Sequence, residues 1–411
     1  MDTLTRRKFL IASGVTGAAA LAAGAGTVGW REIAGRASAD PLEPDANVLV
    51  LVTLYGGNDG LGTVVPYADG AYHDARPDLA YGADEVLELD DQLGLNPSMT
   101  GFKALWDDKK LAVVRGVGYP KPDHSHFRSM DIWQSGSPDH PANTGWIGRW
   151  LDATRPDPMR VVSVGATLPP LAIGTRAAGV ALPLTSFQAP TGPLGAGVTA
   201  LSAADPADPP TQAMAARATG TLLSATALFG PPLDAAGSAD PDEDDNQAQG
   251  GSAGGQNALA KQLGIVSRCI KANVPTQVYA VSLGGFDTHA DEKGTQSRLL
   301  GELDTAVSGF VKDMSGQSRG VVVAIYSEFG RRVGANASQG TDHGTAGPLL
   351  VAGTPVRGGF YGDQPSLTSL DDGDLKVTTD FRSVYGTLLE KVLDTEAGRV
   401  LEGSRPTLGF L

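Results

Sequence analysis

The chain has 411 residues, 41% hydrophobic and 19% charged, which suits a globular protein with a sizeable core; that length allows two or three domains or one large α/β domain. Its formal net charge of -14, from 32 basic and 46 acidic residues, argues against a nucleic-acid partner, because phosphate backbones call for clustered Lys and Arg. Cys269 is the single cysteine, which excludes an intramolecular disulfide and any thiolate or iron–sulfur cluster.

Residues 1–39 read as an address rather than as fold. Thr5-Arg6-Arg7-Lys8-Phe9-Leu10 resembles the twin-arginine export signal, followed by a weakly apolar Ala/Gly stretch from Ile11 to Trp30 and by Ala37-Ser38-Ala39, small residues suited to cleavage before Asp40. The expected partner is the twin-arginine export machinery, and the expected location is periplasmic or extracellular at the cell wall. An uncleaved leader is the alternative, and the leader would then be the one attachment to a membrane. Residues 40–411 are expected to form a single domain.

Asn47 to Leu54 is apolar on both faces, which predicts a covered central strand. It ends in Tyr55-Gly56-Gly57-Asn58-Asp59-Gly60, where glycines let the backbone turn and two side chains offer oxygen; ordinary turn chemistry gives the same pattern. Leu111 to Val114 is a second strand. It leads to a short helix over Ser125 to Ser135, with Phe127, Met130 and Trp133 facing inward. Ser125 at the helix start meets free N–H groups and the positive dipole end, a setting for an anion, although an N-cap serine is the commoner role. Met159 to Val164 and Leu171 to Ile173 read as short strands. Pro231 to Gln256 is acidic and almost without large apolar residues, so it is expected to be a disordered surface loop; calcium binding is the less favoured reading.

A helix near Ala258 to Asn273 precedes the strand Gln277 to Leu283, which ends in Gly284-Gly285-Phe286-Asp287-Thr288-His289. An amphipathic helix carrying Leu299, Leu300, Leu303, Val307, Phe310 and Val311 then delivers the chain to the apolar strand Val321 to Tyr326. That strand stops at Ser327-Glu328, with Arg331 and Arg332 beyond it and Thr341-Asp342-His343-Gly344 after a loop. Gly347 to Gly353 is a further strand and Thr379 to Leu393 a final helix. Alternating helices and strands predict right-handed crossovers and a mostly parallel sheet with helices on both faces. Ligands of such sheets sit beyond the carboxyl ends of the strands, so the polar groups there mark a candidate site. Of six histidines, His124, His126, His289 and His343 fall in these strand-end segments, beside Asp59, Asp287, Glu328 and Asp342.

The motifs GGNDG, HSHFRSMDIWQSG, GGFDTH, YSEFGRR, TDHGTAGPLLVAG and TDFRSVYGTLLEKVL, in this order and with the leader, closely resemble the bacterial family called domain of unknown function 1501. That family resembles the alkaline phosphatase and sulfatase superfamily, which implies its α/β fold and metal ligands at strand ends. By this resemblance Asp59, or Asn58 in its place, is the first carboxylate ligand and Ser125 the nucleophile. Asp287 and His289 are the acid and histidine ligands, at a shorter spacing than usual, and His343 is the late histidine. Glu328 and Asp342 complete the expected ligand set. Phe329 stands where phosphatases carry a histidine, which weakens or removes one metal site. The implied function is hydrolysis of phosphate or sulfate esters with a divalent metal (zinc, calcium or magnesium). Arg128 or Arg331 would clamp the anionic ester substrate. A binding or structural protein that kept the scaffold and lost the chemistry is the alternative, and a redox protein a third, for which no nucleotide or haem motif is present.

Overall fold

The computed structural model describes residues 42–43, 46–165, 167–182, 192–202, 258–403 and 405–411, with isolated positions 184, 216, 219, 220 and 223. The leader and the acidic 231–256 stretch lie outside the described residues. The strands are β1 Val48–Leu54, β2 Val64–Val65, β3 Leu87–Glu88, β4 Gly94–Leu95, β5 Leu111–Gly118, β6 Val161–Val164, β7 Val180–Leu182, β8 Val278–Leu283, β9 Val321–Ser327, β10 Arg331–Ala335, β11 Thr341–His343, β12 Gly347–Gly353, β13 Gly359–Tyr361 and β14 Thr379–Asp380. The helices are α1 Gly60–Thr63, α2 Gly70–Ala75, α3 Thr100–Asp107, α4 His126–Ser135, α5 Trp146–Ala153, α6 Gly192–Leu201, α7 Ala258–Lys271, α8 Glu292–Met314 and α9 Phe381–Lys391.

The main sheet runs β13-β5-β12-β9-β1-β8-β6-β7, with β14 pairing to β5. β1 lies at its centre, parallel to β8 (Leu49 opposite Val278) and to β9 (Val48 opposite Val321). Every residue of β1 is buried, as a run apolar on both faces requires. Alternate residues divide between two cores. Val48, Val50, Val52 and Leu54 pack with Phe102 of α3, Leu263 and Val266 of α7, and Leu299 and Leu303 of α8. Leu49 and Leu51 share the opposite core with Trp133 of α4, Trp146 and Trp150 of α5, and Phe381 and Leu388 of α9. Helices therefore cover both faces of a mostly parallel sheet.

β12 is the exception, antiparallel to both β5 and β9. Its direction brings its first residue, not its last, to the edge where β1, β8 and β9 end. The β10–β11 hairpin before it therefore stays at that edge (Arg331 opposite His343).

Two expectations need correction. Leu171 falls in a 3-10 turn, Pro170–Ala172, because prolines at 169 and 170 withhold the N–H groups a ladder needs. Phe127 does not face inward: it is 79% exposed, since the first turn of α4 follows the exposed residues 121–125 and meets no core. Met130, Ile132 and Trp133, one to two turns on, are buried. No helix among the described residues is long and apolar enough to cross a membrane.

Candidate metal centre

The turn after β1 brings the chain back against the end of β8. Gly56 has φ +115 and Gly57 φ +72, and a Cβ on Gly56 would stand 2.5 Å from the backbone N of Asp287. Phe286 N–H donates to the Tyr55 carbonyl at 3.2 Å. Asp287 is thereby set at the carboxyl edge, with its side chain half exposed.

Three imidazoles surround its carboxylate. His289 Nε2 lies 3.1 Å and His343 Nε2 3.2 Å from Asp287 Oδ1, His126 Nε2 lies 3.5 Å from Oδ2, and His289 Nε2 is 3.0 Å from His343 Nε2. The Nδ1 atoms face outward to acceptors. That of His126 is 2.8 Å from Glu328 Oε1, that of His343 is 2.8 Å from the His124 carbonyl, and that of His289 is 3.4 Å from Asp342 Oδ1. A carbonyl can only accept, so His343 carries its proton on Nδ1 and presents a lone pair at Nε2. His126 Nε2 is buried without a hydrogen-bond partner. Lone pairs of two imidazoles and a carboxylate thus point at one another, an arrangement that a cation between them would stabilise.

His126, Asp287 and His343 each offer one ligand atom, all within 4.8 Å of one another, a group that could hold a metal ion. Four ligands tetrahedral around an ion at about 2.0–2.2 Å stand roughly 3.3–3.6 Å apart. Four of the spacings lie close to that range: His289 and His343 to Asp287 Oδ1, His126 to Oδ2, and His289 to His343, at 3.0–3.5 Å, with His289 outside the group of three. An acceptor behind each ligating imidazole is the usual outer layer of such centres. The donor set fits a divalent cation.

Electrostatics favour the same assembly at Asp287 and His343, whereas at His126 a proton competes with a cation. Burial pushes the Asp287 carboxyl up, but the hydrogen bond and charge of Arg331 outweigh it and hold the group below its ordinary range. Burial lowers His343, which keeps the imidazole neutral. The hydrogen bond to Glu328 raises His126 against burial.

The remaining candidates take other places. Asp59 does not join the cluster: both its oxygens are held by Arg76, at 2.5 and 2.9 Å, and it caps α1 through the Leu61 N–H. A carboxylate so buried needs a fixed cation, and Arg76 supplies it. Its neighbour Asn58 accepts from Thr63 Oγ1 and Gln296 Nε2. Glu328 stands behind His126 rather than beside it; at 1% exposure it also accepts from the Gly56 N–H and Ser327 Oγ. Asp342 stands likewise behind His289. Arg331 is not free to clamp an anion, because it donates to the carbonyls of Gly56, Gly57, Phe286 and Thr341 and to Asp287. Ser125 is exposed on the rim, between His124 and His126, and caps α4 by accepting from the Arg128 N–H at 3.5 Å. Arg128 is half-buried beside it. Phe329 packs its ring on His126 and His343, at 4.9 and 4.8 Å. Reading from sequence placed His126 among the four strand-end histidines of the candidate site but did not assign it as a ligand.

The family model described as "Protein of unknown function (DUF1501)" matches residues 233–392. That span includes the GGFDTH, YSEFGRR and TDHGTAGPLLVAG motifs and carries Asp287, His289, Glu328 and His343, while His126 and Ser125 precede it. No curated protein matches the sequence. Among solved structures, the chain is similar to a protein in the alkaline phosphatase superfamily from Vibrio parahaemolyticus (9% identity, 89% of this chain and 70% of that one, TM-score 0.40). It is also similar to the lipoteichoic acid synthase LtaP from Listeria monocytogenes (9% identity, 88% and 75%, TM-score 0.37). A third is the soluble domain of lipooligosaccharide phosphoethanolamine transferase A from Neisseria meningitidis (10% identity, 85% and 89%, TM-score 0.35).

Proposed function

We propose that this chain is a metal-dependent hydrolase or transferase of phosphate or sulfate esters, exported by the twin-arginine route. The observation that carries the reading is the convergence of His126, His289 and His343 on Asp287, with Nδ1 of His126 and His343 each 2.8 Å from an acceptor. Nitrogen-rich donors favour a zinc-like ion over calcium or magnesium, which take oxygen ligands. Such an ion acts as a Lewis acid on an ester and neutralises charge on its oxygens. His126, His343 and Asp287 would hold it, with His289 completing the set. Glu328 and the His124 carbonyl fix the two rings so that each Nε2 faces inward. Ser125 offers the attacking hydroxyl from the start of α4, where free N–H groups and the helix dipole favour an anion. Arg128, on the same rim, is the cation left to meet the ester's charge.

A second reading, a binding protein on the same scaffold, draws on two observations. The Phe329 ring walls one side of the cluster, and the Arg331 guanidinium bonds internally. Metal content of protein recovered from its export route, followed by assays with phosphate and sulfate esters, separates the two. The hydrolase reading expects bound metal in the wild type, lost in His343→Ala before stability is lost, and ester cleavage that Ser125→Ala abolishes. Bound metal without cleavage of either ester class would favour the binding protein; no metal uptake would end both forms of the metal reading. Export is tested by replacing Arg6 and Arg7 with Lys, which should leave the precursor inside the cell.

A further inference from the structure

Beneath the β10–β11 hairpin, three ionisable side chains meet out of water: Asp59, Arg76 and Glu292 are 2%, 0% and 2% exposed. Arg76 grips both oxygens of Asp59, and its Nε and Nη2 donate at 2.8 Å to the carbonyls of Val333 and Arg332 on β10. Glu292, the first residue of α8, lies against Asp59 and accepts from Thr341 Oγ1 of β11 at 2.6 Å. Its other oxygen, Oε1, is buried with no partner. Two acids therefore face one guanidinium. Tyr72, also beside them, adds no charge, because burial holds its hydroxyl far above the usual range. Gln296, Asn58 and Thr63 alongside are neutral.

A second buried negative charge without a second cation is costly, and the unpartnered Oε1 is where a proton relieves it. We infer that Asp59, Arg76 and Glu292 form a closed group holding one proton between the two carboxyls, and that this group positions the β10–β11 hairpin and, through it, Arg331 and His343. The links are direct: Arg76 holds two β10 carbonyls and Glu292 holds the Thr341 hydroxyl, two residues before His343. The consequence for the metal centre rests on the function proposed above; the proton does not.

Burial, with the charge of Asp59 added, pushes Glu292 up from 4.5 to about 8. A carboxyl raised in the folded state stabilises the fold fully below its unfolded value, and this contribution is lost as pH rises through the folded value. The window is therefore pH 4.5 to about 8.

The test uses the full chain in excess chelator, so metal plays no part. Infrared spectra should show a protonated carboxyl band inside that window, fading as pH rises through its upper end. The band should be absent in Glu292→Gln and in Asp59→Asn, where Arg76 is free to ionise the remaining acid. Melting temperature should fall across the window in wild type relative to Glu292→Gln. Hydrogen exchange at Thr341 to His343 should accelerate beyond base catalysis over the same range in wild type alone. A wild type without the band, or two superimposable pH profiles, would overturn the inference, and the wild-type spectrum decides even if a variant does not fold. If band and slopes appear while His343→Ala holds metal as well as wild type, the proton-bearing group stands and the metal reading falls.

Discussion

Arg331 offers the sharpest test of how the site is held. At 1% exposure it joins four backbone carbonyls and one carboxylate: Gly57 at 2.7 Å, Thr341 at 2.8 Å, Gly56 at 2.5 Å, Phe286 at 3.0 Å and Asp287 Oδ1 at 2.8 Å. These groups belong to three separate segments, the turn after β1, the turn after β8 and the start of β11. In Arg331→Met the side chain keeps most of its volume and loses every donor. Each carbonyl left unpaired in the interior costs about 1–3 kcal/mol, and water reaching the Gly56 and Asp287 side recovers part of it. The half-exposed Asp287 pair itself counts for little once solvent screening is allowed. The expected loss is about 3–5 kcal/mol, the range found when one partner of a buried charged network is removed. Against a domain stability of about 5–15 kcal/mol this is a large fraction. Arg331→Lys keeps the charge but cannot span five acceptors with a compact ammonium, so it should lose about half as much. Urea unfolding of the three proteins, without metal, measures both differences. A methionine variant within about 1 kcal/mol of wild type would refute the reasoning and return Arg331 to the role of an anion clamp.

Three further outcomes follow from the geometry. Glu328→Gln removes the charge behind His126 while keeping its shape, and should weaken metal affinity by about 10–100-fold in chelator competition with the fold intact. Gly56→Ala forces a side chain into φ +115 and against Asp287 N and Phe286, and should cost about 1–3 kcal/mol in urea unfolding while displacing Asp287. Phe127→Ser, on a ring 79% exposed, should change stability by no more than about 0.5 kcal/mol; a larger loss would mean that the ring packs after all.

The strands were legible because β1 and β9 are short, rich in β-branched residues and apolar on both faces, as a covered sheet requires. Strand ends followed from the glycines at 56, 57, 284 and 285, and with them the neighbourhood of Asp287, His289 and His343. Direction was not legible: Gly347 to Gly353 is equally apolar read either way, and only pairing to β5 and β9 makes it antiparallel. The fate of Asp59 was hidden for a similar reason. Its partner Arg76 lies 17 residues on, in a stretch with no motif, and the choice between ligand and ion pair depends on which cation the fold brings near.

The acids divide by what an imidazole needs. A histidine whose Nε2 faces inward must give its Nδ1 proton to an acceptor, and the sequence supplies more carboxylates than one centre can use as ligands. Glu328 is buried behind a strand end, where it reaches Nδ1 of His126 and not the centre; Asp342 stands in the same relation to His289. Asp287 alone of these acids lies within 3.1–3.5 Å of all three Nε2 atoms, and Arg331 holds its carboxylate at 2.8 Å. Residue types at strand ends therefore locate such a centre, while the split between groups that face it and groups that hold it is decided by contacts 44 to 202 residues apart in the chain.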